Sequence, residues 1–233
     1  MRRAAGPAGG PLPILDRMET IELKGVMPAA FAADPLSVRH SDVWLHDVAF
    51  HRGKFYLVEA VSGAGKTSLC SFLYGMRSDY AGDVLFDGRN IRNFSRAEWN
   101  DVRCRSLSVL FQDLRLFEEL TVEENIALKN DLTHFQSEAR IEELLAAAGM
   151  ADKRTTPVGR LSFGQQQRVA FVRALCQPFD FMLLDEPVSH LDAVNGRILA
   201  QLLTDEARRQ GAGILVTSVG SRLEMSYDHL LHL

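Results

Sequence analysis

Short apolar runs that stop at polar residues dominate the hydrophobic pattern of this chain. Residues 55–58 (Phe-Tyr-Leu-Val) lead into a glycine-bearing loop, residues 181–184 (Phe-Met-Leu-Leu) lead into two carboxylates, and residues 214–216 (Ile-Leu-Val) lead into Thr-Ser. Apolar runs this short, with polar turns beside them, are typical of buried strands. The pattern therefore predicts strands whose polar ends are available for chemistry.

Helical spacing of apolar residues is found in the middle of the chain, from about residue 113 to residue 178. Two sequences of the form Ser/Thr-x-x-Glu/Gln, at residues 121–124 and 162–165, predict helix N-termini of the capping-box type. Apolar residues also recur with a helical period ahead of a glycine, which predicts a helix that ends there. These residues are Ile141, Leu144, Leu145 and Ala148, followed by Gly149.

The first third of the chain predicts strands instead. Strands are expected at residues 21–23 and, from the alternation Val-Trp-Leu, at residues 43–45, and Asp87-Gly88 predicts a hairpin turn. Residues 229–232 predict a last edge strand whose two histidines are structural. The chain is thus expected to be an α/β protein with a mixed β-sheet core, an N-terminal antiparallel β region and an inserted helical part.

The loop after residues 55–58 has the composition of a phosphate-binding loop that opens a helix. Small residues let backbone N–H groups point at phosphate oxygens, Lys66 can bridge the β- and γ-phosphates, and Thr67 can ligate Mg²⁺. For this loop alone, a glycine-bearing turn before an ordinary helix is the alternative. The predicted nucleotide-binding residues are Ala60, Val61, Ser62, Gly63, Ala64, Gly65, Lys66, Thr67 and Ser68.

Two carboxylates follow the apolar run at residues 181–184. Asp185 is placed to hold Mg²⁺, usually through water, and Glu186 can accept a proton from an attacking water molecule. For this pair alone, a strand that stops at a solvated acidic turn is the alternative. Together with a phosphate loop, the pair predicts a site that hydrolyses the bound nucleotide.

A second anion site is indicated at the capped helix start at residues 162–165. A capped N-terminus with exposed N–H groups attracts anions, and the chain already has one phosphate loop of its own. A nucleotide held by another subunit is therefore the predicted occupant. A capped core helix is the alternative interpretation of the same residues.

These segments, in this order, resemble the ATP-binding-cassette (ABC) ATPases from about residue 21 to the C-terminus. The resemblance implies a P-loop NTPase fold of ABC type in a domain at residues 18–233, with a helical subdomain at about residues 113–178. The segments that carry it are residues 60–67 (Walker A loop), Gln112 (Q-loop), residues 161–165 (signature), residues 181–186 (Walker B strand) and residues 189–192 (D-loop).

The resemblance implies an ATPase that uses ATP and Mg²⁺. Gln112 is implied to touch Mg²⁺ together with Thr67 and Asp185, and Glu186 to activate water. Two such domains are implied to pair head to tail, with each ATP between the Walker A loop of one and the signature of the other. The further residues implied around ATP are Ser162, Gly164, Gln165 and Asp192.

The same resemblance implies membrane partners. Transmembrane permease subunits are expected to dock near residues 112–119, which places the chain in the cytoplasm, on the inner face of the plasma (inner) membrane. A second ATP-binding subunit completes either a homodimer or a heterodimer. Residues 91–112 are similar to the lipoprotein-releasing, macrolide-export and cell-division FtsE-like group, so an export or lipoprotein-release system is expected.

Three departures from the family pattern bear on activity. Ala60 replaces the first glycine of the Walker A loop, Phe163 replaces the first glycine of the signature, and Ser218 stands where the family has a switch histidine. Loss of one preorganised donor to transition-state charge typically costs ~10²–10³ in rate. Because Ser218 stands in the place of the histidine, it is a candidate catalytic residue, and the ATPase is expected to be slow. An ATP-dependent clamp that hardly hydrolyses is the alternative.

The aromatic residue that stacks on adenine is a further expectation from the resemblance. Phe31 falls near its place, after the strand at residues 21–23. An ordinary half-buried aromatic is the alternative for Phe31.

Composition limits the function without deciding it. Among 233 residues, 26 basic against 30 acidic ones give a net charge of −4, which offers no basic field for nucleic acid. No run approaches the roughly 18 apolar residues that a membrane helix needs. Cys70, Cys104 and Cys176 have neither disulfide nor zinc spacing. Residues 1–17 predict a flexible leader, with Met18 as a candidate native start.

Overall fold

Strands and helices are interspersed along the chain in this computed structural model, which describes residues 17–34, 38–188 and 191–233. The strands are β1 (Thr20–Pro28), β2 (Asp47–His51), β3 (Phe55–Glu59), β4 (Tyr80–Phe86), β5 (Arg89–Asn90), β6 (Leu107–Leu110), β7 (Phe181–Asp185), β8 (Gly213–Ser218) and β9 (His229–His232). The helices are α1 (Lys66–Leu73), α2 (Arg96–Asp101), α3 (Val122–Asn130), α4 (Glu138–Ala147), α5 (Phe163–Leu175) and α6 (Ala193–Gln210).

Parallel and antiparallel strands are segregated into two sheets. The core sheet has the order β6-β7-β8-β3-β9 with every neighbouring pair parallel, and the second sheet, of order β2-β1-β4-β5, is antiparallel. This arrangement confirms the predicted α/β class with its N-terminal antiparallel region. Because carboxyl ends of parallel strands meet at one edge, the residues that follow β3, β7 and β8 lie side by side.

The core sheet is buried between two apolar clusters. Along β7, Met182 and Leu184 pack into the cluster formed with α3 to α6, while Phe181 and Leu183 pack into the cluster shared with α1 and the antiparallel sheet. This alternation follows from the two-residue period of a strand. Both faces of β7 are therefore apolar, which explains the uninterrupted apolar run in the sequence.

The strand expected at residues 43–45 is wrong. Residues 41–46 form turns, although Val43 and Trp44 are fully buried. The Ser41 hydroxyl oxygen accepts hydrogen bonds from the backbone N–H groups of Val43 (3.0 Å) and Trp44 (2.8 Å), and Leu45 has a φ of 64°. A local side-chain bond of this kind competes with a strand ladder. Two consecutive residues are buried and Leu45 is exposed, which is not the alternation of a strand, and no strand forms.

Two other predictions in the β regions are confirmed. The hairpin turn lies at Asp87 and Gly88, with φ values of 47° and 75°, between β4 and β5. The last strand, β9, pairs with β3 at the edge of the core sheet. Within it, the His229 ring stacks on Tyr56 with 4.9 Å between ring centroids.

The predicted helix starts and stop are also confirmed. Capping boxes begin α3 at Thr121 and α5 at Ser162, and the chain leaves α4 through Gly149, which has a φ of 64°. Ile141, Leu144 and Leu145 of α4 are buried, so this helix is held by packing on its neighbours as well as by its cap. The bounds of a helical subdomain at about residues 113–178 remain a prediction.

The start of the described chain is anchored. Met18 is buried, and its backbone N–H donates to Asp180 Oδ2 at 2.9 Å. The predicted leader at residues 1–17 lies outside the described residues except for Arg17. The native start at Met18 stays a prediction.

A substitution at Gly82 tests the close contact between β1 and β4. The ladder between these strands shifts register between Lys24 and Met27, and a Cβ on Gly82 would lie 2.5 Å from the backbone oxygens of Lys24 and Gly25. We expect Gly82→Ala to lower the free energy of unfolding by about 1–3 kcal/mol more than Gly88→Ala does. Gly88 has the same sign of φ and no neighbour within 4 Å, so it isolates the backbone strain alone.

Denaturant titration of both variants measures this difference. Equal losses for Gly82→Ala and Gly88→Ala would show that the close approach of β1 and β4 carries no cost of its own.

Candidate functional site

The phosphate loop runs from the end of β3 to the start of α1. Gly63 and Gly65 have φ values of 85° and 97°, which a residue with a Cβ adopts only with strain. Six described non-glycine residues have positive φ, and Ala60 is not among them. Alanine in place of the first glycine therefore brings no backbone penalty, and its N–H donates to the Ser218 carbonyl at 3.1 Å.

Lys66 lies inside this loop. It is the first residue of α1, its side chain is 5% exposed, and its ammonium donates to the Val61 carbonyl at 3.1 Å. The same ammonium is 3.5 Å from Glu186 Oε1. Thr67 is exposed, next to Lys66 on the first turn of α1. The predicted phosphate-binding lysine and the predicted base are thus brought together.

Asp185 has one oxygen paired and one unpaired. It is 1% exposed at the end of β7, and its Oδ1 accepts a hydrogen bond from the Thr217 hydroxyl at 2.7 Å. Its Oδ2 is buried and has no hydrogen-bond partner among the described residues. Buried carboxylate oxygens are rarely left unpaired. This oxygen fits the water shell of a cation, as Mg²⁺ bound mainly to a nucleotide requires.

No group of three or more His, Cys, Asp or Glu side chains suited to a metal ion occurs in the described part of the chain. A Mg²⁺ ion here would be held by Asp185, by the Thr67 hydroxyl and by oxygens of the nucleotide and water. Cys70, on α1, is fully buried, and burial together with the charge of Asp185 raises the pKa of this thiol well above its usual value. Cys70 is therefore a protonated core residue beside the site.

Glu186 turns away from the direction of β7. Its φ is 50°, in the left-handed region, and its N–H donates to the Thr217 carbonyl at 3.1 Å. Such a backbone costs of order 1–3 kcal/mol for a residue with a Cβ, and it persists only where neighbours hold it. The Glu186 side chain is 19% exposed, so its carboxylate can reach both Lys66 and a water molecule.

Gln112 lies just beyond β6, next to the end of β7. The ladder pairs Leu110 with Leu184, so Gln112 follows at the edge that carries Asp185. Gln112 is exposed. Beyond it, Leu114 has a left-handed backbone, and its carbonyl accepts a bond from Arg173 of α5 at 2.8 Å.

The signature residues form the exposed start of α5. The Gln165 N–H donates to the Ser162 hydroxyl at 3.4 Å, and the Ser162 N–H donates to Gln165 Oε1 at 2.9 Å. Ser162 is exposed, Phe163 is 44% exposed, and Gly164 is half-buried. Ser162 and Gln165 thus cap the helix by bonding to each other. A contact with the nucleotide of another subunit stays a prediction.

The D-loop is described only in part. Ser189 and His190 lie outside the described residues. Asp192 caps α6 by accepting the Asn195 N–H at 2.9 Å, and this bond holds the pKa of the carboxyl below its usual value. A contact between Asp192 and ATP stays a prediction.

Ser218 and Phe31 are placed beside the loop, but their predicted roles stay open. Ser218 is buried, and its hydroxyl donates to the Ser221 carbonyl. Phe31 is half-buried, and its ring lies 3.3 Å from the place of a Cβ on Gly65. Adenine stacking on Phe31 stays a prediction.

Sequence reasoning missed Trp44. Its indole is fully buried, donates to the Ala64 carbonyl at 2.9 Å, and lies 3.2 Å from the place of a Cβ on Gly65. It also meets Phe72 of α1 edge to face, with 6.3 Å between centroids. The signal was a tryptophan in the apolar alternation at residues 43–45, but nothing local connects it to a loop twenty residues later.

Two polar residues of α5 were missed as well. The Gln167 side chain is buried and donates to the Pro187 carbonyl at 2.5 Å. Arg168 donates to Asn195 Oδ1 at 3.2 Å, and Asn195 in turn bonds Asp192. The helix that carries the signature is thus tied both to the turn after Glu186 and to the cap of α6.

Comparison with known proteins agrees with this geometry. The family model described as ABC transporter matches residues 46–189. A lipoprotein-releasing system ATP-binding protein, LolD of Syntrophotalea carbinolica, is 32% identical over 199 residues, which cover 84% of this chain and 88% of that protein. The chain belongs to the ABC transporter family. Membership confirms the predicted family and the predicted ABC ATPase class.

Other relatives and structures are similar at lower coverage or identity. The methionine import ATP-binding protein MetN of Escherichia coli K12 is 36% identical over 74% of this chain, which spans 51% of MetN. A dimeric structure of MJ0796, a bacterial ABC transporter cassette, has a TM-score of 0.72 at 24% identity and covers 85% of this chain and 87% of its own. At that identity it supports the ABC fold alone.

None of the helices in the described residues combines the length and the apolar character needed to cross a membrane.

Trp44 gives a first test of the site in this ABC ATPase. We expect Trp44→Phe to weaken the affinity for a non-hydrolysable ATP analogue about fivefold, because the bond to the Ala64 carbonyl, worth about 1 kcal/mol, is lost. Trp99→Phe is the control, since Trp99 packs on Phe86 and Phe94. Titration calorimetry measures both; equal affinities in the two variants would contradict a role of Trp44 in holding the loop.

Proposed function

We propose that this chain is the ATP-binding and ATP-hydrolysing subunit of a bacterial ABC transporter. The observation that carries the proposal is the joint position of Lys66, Asp185 and Glu186 at the carboxyl edge of one parallel sheet. A cation, an unpaired carboxylate oxygen and a carboxylate base are the three groups that nucleotide hydrolysis requires.

Binding begins with the phosphates. The N–H groups of the loop from Ala60 to Ser68 and the N-terminus of α1 attract the phosphate oxygens. Lys66 then exchanges its contact with Glu186 for the β- and γ-phosphates, which frees the carboxylate. Mg²⁺, when bound with the nucleotide through Asp185 and Thr67, neutralises part of the phosphate charge.

Hydrolysis uses Glu186 as the general base. The carboxylate accepts a proton from water as the water oxygen forms a bond to the γ-phosphorus. The bond from that phosphorus to the oxygen of the β-phosphate breaks, and the products are ADP and inorganic phosphate. The bond between the Glu186 N–H and Thr217 keeps the carboxylate in position during the reaction.

A second subunit is proposed to complete the site. The exposed N-terminus of α5 at Ser162 supports head-to-tail pairing, since the N-terminus of a helix attracts anions such as the phosphates of a partner's nucleotide. The bonds from Gln167 and Arg168 connect that N-terminus with the carboxylates and with α6. Pairing of two subunits around ATP would therefore be transmitted both to the carboxylates and to α6. A homodimer and a heterodimer fit this proposal equally.

Membrane partners are proposed to dock on the segment at residues 112–119. Phe117 is 54% exposed there, and Met76, whose sulfur accepts a hydrogen bond from Arg115 of this segment, is 44% exposed. ATP-driven closure would pull on partner helices at this surface, and the proposed location of the chain is the cytoplasmic face of the inner membrane. The similarity to LolD supports a lipoprotein-release or export system, and the similarity to MetN makes import the rival.

A second candidate function is an ATP-dependent clamp with weak hydrolysis. The hydroxyl of Ser218 is already committed to the Ser221 carbonyl, so it does not replace a histidine as a donor to phosphate. The clamp would dimerise on ATP and signal without fast turnover.

Glu186→Gln tests the hydrolysis. We expect turnover to fall by roughly 10²-fold or more, because the amide cannot accept the proton, while ATP affinity is kept or rises. Glu224→Gln is the control: Glu224 is exposed and pairs with Arg197. Phosphate release is measured in the presence of membrane partners. Turnover that survives Glu186→Gln unchanged would overturn the catalytic assignment.

Ser218→His separates the enzyme from the clamp. If the clamp is right, the new donor raises turnover by about 10²-fold or more at unchanged ATP affinity. If the protein is a competent enzyme with another donor, we expect no gain. Ser226→His, at an exposed serine, controls for the added imidazole, and the measurement is steady-state phosphate release.

A further inference from the structure

A polar cluster at the ends of β3 and β8 has no part in the roles assigned above. Glu59 is the last residue of β3 and faces Ser218 across the ladder. Arg222 returns to Glu59 from the turn after β8, with Nε 2.6 Å from Oε1 and Nη2 2.9 Å from Oε2. This is a bidentate pair, the geometry in which arginine also binds phosphate.

The cluster is fixed to the phosphate loop. Glu59 directly precedes Ala60, whose N–H donates to the Ser218 carbonyl. The Ser218 hydroxyl donates to the Ser221 carbonyl, which closes the turn that carries Arg222. Two bonds therefore connect Ser221, through Ser218, to the first residue of the phosphate loop, and the Arg222 guanidinium contacts Glu59, the residue that precedes this loop.

The two partners differ in their freedom to move. The Glu59 side chain is 19% exposed, whereas that of Arg222 is 52% exposed. An ion pair open to water is weak, and a phosphate with two negative charges is a better partner for a guanidinium than one carboxylate is. Arg222 can therefore leave Glu59 for a phosphate without a large loss.

We propose that Arg222 contacts the terminal phosphate of bound ATP, giving up its pair with Glu59 when the nucleotide binds, so that Arg222 supplies the positive charge that Ser218 cannot. The inference rests on the proposed function and adds a residue to its phosphate site. The two cations of the site would then behave in the same way. Lys66 and Arg222 are each paired with a glutamate, and each exchanges that glutamate for phosphate.

A simpler role must be separated from this one. Arg222 could act only by neutralising Glu59, whose negative charge would otherwise repel the nucleotide. The two roles differ in the double variant. Removing both charges restores the preference for the triphosphate over ADP if Arg222 only neutralises Glu59. It leaves this preference impaired if Arg222 binds phosphate.

The experiment compares the full chain with Arg222→Ala and Arg222→Lys by calorimetry, using Mg²⁺ with ADP and with β,γ-imido-ATP. We expect Arg222→Ala to lose about tenfold of the preference for the triphosphate. Lysine keeps the charge without the fork, so Arg222→Lys should recover part of it. Arg89→Ala is the matched control, because the Arg89–Glu98 pair has the same distance and nearly the same exposure, 52% and 22%.

Glu59→Gln and Glu59→Gln/Arg222→Ala complete the set, with thermal melts to show that each variant folds. We expect the single variant to keep or raise the preference for the triphosphate and the double variant to lack it. An unchanged preference in Arg222→Ala, or a restored one in the double variant, would overturn the inference. If the unaltered chain binds neither nucleotide, the proposed function itself fails, and the two failures are distinguishable.

Discussion

Thr217 is the residue on which the geometry of the site depends. It is fully buried in β8, its hydroxyl donates to Asp185, and its carbonyl accepts the N–H of Glu186. The parallel pairing of β8 with β3 and β7 places these groups at one level of the sheet. A single side chain thus orients one carboxylate, while its backbone holds the other in a strained conformation. The next residue, Ser218, accepts the first N–H of the phosphate loop.

The helix α5 connects the site with segments beyond the sheet. Its N-terminus is the signature, Gln167 bonds the turn after Glu186, Arg168 reaches the cap of α6, and Arg173 bonds the carbonyl of Leu114. A helix of thirteen residues is stiff over this length. A small displacement at one of these contacts is therefore passed to the others, which is the property that a coupled ATPase needs.

Local rules explain what the sequence could predict. Capping boxes at Thr121 and Ser162, the Asp87-Gly88 turn and the apolar runs depend on neighbours within a few positions, so their elements were found correctly. The loop around Trp44 was misjudged because the Ser41 hydroxyl captures the N–H groups that a strand would have used.

Contacts between distant segments were the part that could not be predicted. The phosphate loop and the two carboxylates were found as motifs, but the bonds of Trp44 to Ala64, of Gln167 to Pro187 and of Arg222 to Glu59 join residues 20, 20 and 163 positions apart. No periodicity encodes such pairs. The roles of Ser218 and Phe31 depend on the same kind of long-range geometry.

The unpaired oxygen of Asp185 affects the stability of the folded chain. A buried carboxylate oxygen without a partner destabilises the folded state, and a ligand that satisfies it returns that free energy to the fold. Proteases degrade the fraction of molecules that is transiently unfolded. A bound nucleotide with its Mg²⁺ would therefore stabilise the folded chain and protect it from proteolysis.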